Sequence, residues 1–406
     1  MSCILLTFLG RVPKNEQGYR LTRYDYGDGR DEPPTAFFGW SLQQRLTPDR
    51  MVILGTAGSM WDHLFEGDEA FYEAGDAADK LTDAVKEKRV TFDHLAPLTP
   101  LLTARLGCEV CLDIIPYARD STEQVDLLRI MAAHVNAGDR VDLDVTHGFR
   151  HLPMLAILAA LHLRSVRRAE IGGIWYGAYD PDTREAPVHD LSGLLHIADW
   201  LQALHTYDKD GDYGVFASLI DNRACPRVDC LRQAAFYEQV NNIGQARGPL
   251  REFRQDLTGT SQDPLLKLFP EELLQRTAWV ENRTLAERQY EMAKHFLEFG
   301  DYLRAAILGF ESLLTRLVQA EPGQLDPMNH EHREQVKKQW DDRMRGPSHQ
   351  RSATQQAYLD LREFRNVLAH GSRSKFGSIQ DALSSGTKLR DALSRAIELA
   401  HQGART

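Results

Sequence analysis

The first 190 residues alternate between strand-length apolar runs and helix-like stretches, and this alternation limits most tightly what the chain can fold into. CILLTFLG (3–10), MVILGT (51–56), CEVCLDIIPY (108–117), RVDLDVT (140–146) and IGGIWYGAYD (171–180) are apolar-rich runs of strand length. Such runs suit strands covered on both faces. YRLTRYDY (19–26) alternates as an exposed strand does. Between these runs, TAFFGWSLQQRL (35–46) has helical spacing, a second helix is signalled by Ser121 and Thr122 ahead of Glu123, and Pro153 opens the apolar helix PMLAILAALHLRSV. The pattern predicts a parallel α/β sheet with helices on both faces.

Beyond about residue 190 the strand signal fades and helical periodicity takes over. DYLRAAILGFESLLTRLVQ (301–319) reads as an amphipathic helix through Leu303, Ala306, Ile307, Phe310, Leu313, Leu314 and Leu317. The polar stretch 321–352, with PGQLDP and RGPSHQ, reads as a loop or insertion, and helices are expected over 354–370 and 378–402. The predicted fold class is therefore an α/β N-terminal domain followed by an all-α C-terminal domain. Boundaries are expected near 195 and 285, with 196–285 as a helical linker region. A chain of 406 residues is too long for one compact core, which agrees with this division.

Composition narrows the class further. With 42% hydrophobic and 26% charged residues the chain is an ordinary globular one. SCILLTFLG lacks a basic leader and runs into RVPKNEQGYR, so it reads as a first strand and not as a signal peptide; no apolar run approaches membrane-spanning length, and the expected location is cytoplasmic. Five cysteines do not suggest a disulfide framework. Cys108 and Cys111 form a CxxC, but on a strand positions three apart face opposite ways, so buried thiols are expected there and no metal site. The net charge of −10 argues against a surface made for general nucleic-acid binding. Residues 351–406 nevertheless hold nine Lys/Arg against five Asp/Glu, a balance of +4 that leaves −14 to residues 1–350. The C-terminal segment is thus locally basic, as contact with a polyanion requires.

Chemistry concentrates at three places. In open parallel sheets ligands sit beyond the carboxyl ends of the strands, and two strand-to-helix junctions carry suitable residues there. VILGTAGSMWD (52–62) places Gly55, Thr56, Gly58 and Ser59 where backbone N–H groups and hydroxyls can cradle phosphate; it lacks the Lys of a P-loop, and a tight turn explains it equally well. DLDVTHGFRHLPML (142–155) crowds Asp144, Thr146, His147, Gly148 and Arg150 at a strand end. Hydroxyl, imidazole and guanidinium suit a phosphodiester or a base edge; the alternative is a capping Thr146 and a His147 satisfied by backbone. His147 and His151 are four apart, but Pro153 places the helix start after them, against a metal pair. The third place is REFRNVLAHGSR (362–373). At about 100° per residue, Leu361, Phe364 and Leu368 form one stripe, Asn366 and His370 fall opposite, and Arg365 lies between. This is either a solvated face ended by Gly371 as a C′ cap, with His370 favoured by the helix dipole, or a phosphodiester site.

Taken together, VILGTAGSMWD, DVTHGFRHLP and IWYGAYD resemble, in this order, the CARF domain of CRISPR-associated proteins from type III systems. The resemblance implies a Rossmann-like sensor domain over 1–195 that dimerises and binds a cyclic oligoadenylate. Its ligand loops would be Thr7–Arg11 (Thr7, Gly10, Arg11), Gly55–Ser59 (Gly55, Thr56, Gly58, Ser59) and Thr146–Arg150 (Thr146, His147, Gly148, Arg150). RNVLAH is similar to the HEPN signature, in which a His follows an Arg at short spacing, with Asn directly after the Arg. The pairing resembles the CARF–HEPN ribonucleases, with the HEPN-like part over 286–406. It implies cleavage of single-stranded RNA without a metal or other catalytic cofactor, through Arg365, Asn366 and His370, in a homodimer or higher homo-oligomer. The implied activator is a cyclic oligoadenylate, cyclic tetra-adenylate first among the rings. The alternative is a sensor without nuclease activity, such as a DNA-binding transcriptional regulator.

Overall fold

The computed structural model describes residues 2–403 apart from 16–17, 149–150, 184, 222–224, 259–264 and 345–350. It forms two compact units, Met1–Ile197 and Ala198–Thr406.

The first unit is built on β1 (Cys3–Leu9), the small hairpin β2 (Lys14–Asn15) and β3 (Gly18–Tyr19), β4 (Arg23–Asp25), β5 (Arg50–Gly55), β6 (Glu109–Ile114), β7 (Arg140–Asp144), β8 (Glu170–Gly177) and β9 (Glu185–Asp190). Seven of these make one sheet in the order β4-β9-β8-β7-β1-β5-β6. From β6 to β8 all neighbours are parallel; β9 turns antiparallel to β8, with β4 parallel to β9 at the edge. The central strands are apolar throughout because both faces are covered. Leu5 and Leu9 of β1, with Met51 and Ile53 of β5, pack into a layer with Phe37, Trp61 and Leu64. Ile4, Leu6 and Phe8, with Val52 and Leu54, pack into the opposite layer with Val141, Leu152 and Ala156. One residue in each step changes face, as strand geometry dictates. The CxxC follows the same rule: Cys108 packs on the first layer and Cys111 on the second, and both are free thiols.

Chain order explains the ligand-side geometry. After β1 the chain places β4 at the far edge, builds β5 and β6 on one flank of β1, and then returns to the other flank for β7 and β8. Such a reversal leaves a crevice where the loops after the two central strands diverge.

The second unit is all-α. One apolar cluster runs through it from Trp200 to Ala400, and the stretch expected as a linker contributes to this core through Phe216, Leu231, Phe253 and Leu273. Helix Tyr302–Ala320 packs against Leu285–Glu298, Ala353–His370 and Gly386–Gln402. Two differences from the sequence reading stand out. The stretch 321–352 contains the helix His330–Arg343, capped by Asn329, whose side chain accepts from the Glu331 and His332 N–H groups. Its buried residue is Val336, too little to print an apolar stripe. The helix expected over 378–402 is two, Gly377–Ala382 and Gly386–Gln402, because Ser385 caps a new start by accepting from the Lys388 N–H. Among the described residues no helix is long and apolar enough to cross a membrane.

The joint between β1 and β7 includes a buried acid. Thr7 and Asp144 face each other in register, and the Thr7 hydroxyl donates to Asp144 Oδ2 at 2.6 Å while the Thr146 N–H donates to Oδ1 at 2.8 Å. Burial pushes the Asp144 carboxyl up to about 6. The folded chain therefore keeps this proton where the unfolded chain has lost it, and stability falls as pH rises between about 4 and about 6. Asn in its place can accept from the Thr146 N–H and donate to Thr7. Asp144→Asn should thus gain about 2–3 kcal/mol relative to the native chain between pH 4 and pH 7. Urea unfolding at pH 4, 5.5 and 7 measures this; a difference that does not change with pH would mean the carboxyl is ionised throughout.

Candidate functional site

At the carboxyl ends of β5, β1 and β7 the connecting loops come into van der Waals contact. A Cβ built on Gly10, just after β1, would lie 2.5 Å from the backbone nitrogen of Gly148, in the turn after β7. No side chain fits there. Gly148 itself has φ +117°, a conformation that glycine adopts without strain. The loop after β5 closes on the same point. Ser59 Oγ donates to the Leu9 carbonyl at 2.5 Å and accepts from the Thr56 N–H at 3.0 Å, while the Met60 N–H donates to the Gly10 carbonyl at 3.0 Å. Trp61 Nε1 donates to the Thr56 carbonyl at 2.9 Å and locks the turn from below.

These loops surround a cavity of about 390 Å³, within the usual range for small-ligand sites. Gly10 and Arg11 enter it from β1, Thr56, Gly58 and Ser59 from β5, and Gly148 from β7. Cavities of about 610 Å³ lie elsewhere, around Trp40 and Arg105 in the first unit and around Trp279 and His295 in the second. Neither contains a residue singled out from the sequence. The smaller cavity lies where the sheet topology directs a ligand.

Not every expected ligand residue faces this space. Thr7 is fully buried and spends its hydroxyl on Asp144. Gly55 packs against the Trp61 ring, where a Cβ would sit 2.5 Å from Cζ2. Thr146 accepts the Gly177 N–H at 2.8 Å, fastening β8 to the turn. His147 Nε2 accepts the Phe38 N–H at 3.0 Å, which assigns the ring proton to Nδ1. Burial first, then the neighbouring charges of His63 and Arg20, push this imidazole down to about 4, so it is neutral at physiological pH. His147 is thus satisfied by backbone, as the structural alternative had it, whereas Thr146 caps no helix and fastens β8 instead. Arg150 lies outside the described residues.

Two side chains at the cavity carry no sequence signal of their own. Lys88 follows the helix Asp76–Lys86 and adopts φ +56°, a strained value for a non-glycine residue. Its segment is held to the β5 loop by the Val90 N–H donating to the Ala57 carbonyl at 3.2 Å. Tyr117 follows β6; its carbonyl is contacted by His151 Nε2 at 3.1 Å, and the Arg119 guanidinium stands 4.5 Å from its ring centroid. Tyr117 was open to discovery, since it follows a strand end on the ligand side; Lys88, inside a charged run, was not. Arg11 and Lys88 are exposed and make no ion pair among the described residues. Two unpaired cations, glycine backbone and an aromatic ring form a receptor suited to a phosphorylated, base-bearing ligand.

The second candidate lies at the end of the helix Ala353–His370. The Ser352 side chain and Gln355 form a capping box at its start, and Gly371, at φ +59°, ends it. Leu361 and Phe364 are buried; Asn366 and His370 are exposed. Arg365 is half-buried, its guanidinium 5.3 Å from the Phe310 ring centroid. Glu311, a conceivable partner for Arg365, is bonded instead to Arg333, so Arg365 keeps its charge unspent on that carboxylate. At five residues apart Arg365 and His370 diverge around the helix, so one helix alone does not converge them on a single phosphate.

Residues 4–180 match the family described as CRISPR system endoribonuclease Csx1, CARF domain. CRISPR-associated protein MJ1674 of Methanocaldococcus jannaschii is 25% identical over 259 residues, which is 58% of this chain and 40% of that protein. The chain therefore spans less than half the length of this relative.

The loop contacts separate two glycines. Gly10→Ala forces a methyl into the Gly148 backbone and should cost on the order of 1–3 kcal/mol. At Gly58 a methyl would meet only the Tyr117 hydroxyl at 3.2 Å and the Lys88 stem at 3.7 Å, so Gly58→Ala should leave stability within about 0.5 kcal/mol while narrowing the cavity. Denaturant midpoints of the two variants check this; equal midpoints would contradict the Gly10–Gly148 contact.

Proposed function

We propose that this chain, a CRISPR-associated CARF-domain protein by virtue of its N-terminal unit, is an endoribonuclease switched on by cyclic oligoadenylate. The observation that carries the reading is the pairing, in one chain, of a cationic strand-end cavity with a helix whose solvent face presents Asn366 and His370 beside Arg365. The cavity suits phosphates and adenine rings, with Arg11 and Lys88 for charge and Tyr117 for stacking. The helix suits a phosphodiester.

In this reading the ribose 2′-OH attacks the adjacent phosphorus, the bond to the 5′ oxygen breaks, and the products end in a 2′,3′-cyclic phosphate and a 5′-OH. An imidazole near neutral pH can take the 2′ proton or return one to the leaving oxygen. Arg365 stabilises the negative charge that builds on the phosphorane oxygens, and Asn366 orients the phosphate or the histidine. Arg365 and His370 diverge on one helix, so two copies facing each other supply base, acid and guanidinium to one strand. Cyclic oligoadenylate acts by binding better to the arrangement in which these helices are aligned. Cyclic tetra-adenylate is the first ring to test.

Incubation of unstructured RNA with the full chain in EDTA, with and without cyclic tri-, tetra- and hexa-adenylate, tests the whole proposal. Cleavage should appear, rise with one of the rings, and leave cyclic-phosphate ends. His370→Ala should lower the activated rate by a factor of about 10²–10⁴ without changing activator binding. Undiminished cutting in that variant would remove His370 from the site, and activator binding with no cutting by the native chain would leave only a sensor.

A further inference from the structure

The loop that follows the Ala353–His370 helix is fastened back onto the polar face of that helix. Ser374 Oγ donates to the Glu363 carboxylate at 2.7 Å, the Phe376 N–H donates to Ser374 Oγ at 3.1 Å, and the Ser374 N–H donates to Gln380 Oε1 at 3.2 Å. At the loop's start the Ser372 N–H reaches the Val367 carbonyl at 3.3 Å. Glu363 precedes Asn366 by three residues and His370 by seven, so all three share one face of the helix. Segment 371–376 thus returns along the edge of the face that carries Asn366 and His370.

This arrangement has an electrostatic consequence. Glu363, the acid on that face, is engaged by a neutral hydroxyl, which leaves the cations of the loop unspent. Arg373 and Lys375 are exposed and make no ion pair among the described residues. Two other basic side chains of the helical unit are paired: Arg362 is bonded to Asp341 and Arg333 to Glu311. Lys375 also stands 5.3 Å from the ring centroid of Phe376, an aromatic residue left 37% exposed. Free cations beside an exposed ring, on a pinned loop, match what one strand of nucleic acid offers: phosphates at regular spacing and a base face for stacking.

We propose that loop 371–376 is the RNA track of the helical unit, with Arg373 and Lys375 holding phosphates that flank the scissile one and Phe376 stacking on a base. The inference rests on the ribonuclease reading given above and adds the residues that position the strand. Arg373 and Lys375 act by neutralising phosphate, so their removal lowers both affinity and its salt dependence, whereas removal of Phe376 lowers affinity alone.

The test uses the full chain carrying His370→Ala, so that labelled single-stranded RNA stays intact, with fluorescence anisotropy read across a salt series. Arg373→Ala with Lys375→Ala should weaken binding at least about tenfold near 0.1 M salt and flatten the slope of log K against log salt by about 1.4, two phosphates at about 0.7 each. Arg373→Lys with Lys375→Arg should restore the slope, and Phe376→Ala should weaken binding with the slope unchanged. Native-chain cleavage of RNA combined with unchanged affinity and slope in the double alanine variant would overturn the track alone. Failure of the native chain both to bind and to cleave RNA would overturn the ribonuclease reading and the track with it.

Discussion

The passage of Gly10 against the Gly148 backbone is the contact on which the first unit's ligand side depends. It exists because β1 is central, with β5 and β6 on one flank and β7 and β8 on the other. The loops after β1 and β7 must diverge from one point, and only glycine allows them to start so close together. Everything else at that end follows. Ser59 ties the β5 loop to the carbonyl of Leu9, Thr146 fastens β8, and His147 receives the N–H of Phe38 at the start of the helix Phe38–Leu46. These polar groups build the rim, and the cavity they leave is open to the backbone, Arg11, Lys88 and Tyr117.

A similar economy governs the helical unit. Its core takes Ala357, Tyr358, Leu359, Leu361, Phe364 and Val367 from the helix Ala353–His370, which leaves Asn366 and His370 on the exposed side. Acids and bases around this helix are largely matched, Arg362 with Asp341 and Arg333 with Glu311. The unmatched groups, Arg365, Asn366, His370, Arg373 and Lys375, gather around one helix end and its returning loop. In an acidic chain that concentration of unpaired positive charge is a local exception.

Much of this was legible from residue order. Apolar runs of strand length located the central strands, and i, i+4 spacing set Asn366 and His370 opposite Leu361 and Phe364, as the structure has them. The losses have physical causes. β9 (EAPVHD) lies between β8 and the edge strand β4, has one buried residue, Ala186, and carries no apolar run. The helix His330–Arg343 buries Val336 and shows no stripe, so its polar sequence read as loop. In THG, residue types that suit a phosphodiester equally suit a turn that ties neighbouring elements together, and Thr146 and His147 spend their acceptors on the N–H groups of Gly177 and Phe38. Thr7 belongs to the same class, a hydroxyl placed to meet a buried acid.

What the residue order decided alone was the covering of surfaces: which strands lie between two layers, which helix face is apolar, and that the C-terminal segment is basic. Periodicity and charge are properties of neighbours in sequence, so they can be read there. Tertiary structure alone decided which polar groups remain available. Lys88 is about thirty residues from Gly58 and Tyr117 about thirty from Gly148, yet they border one cavity, and Ser374 reaches Glu363 only because the chain turns at Gly371. A hydroxyl, imidazole or carboxylate bonds whichever group the fold brings within about 3 Å, and that partner is a matter of distance in space, which residue order does not contain.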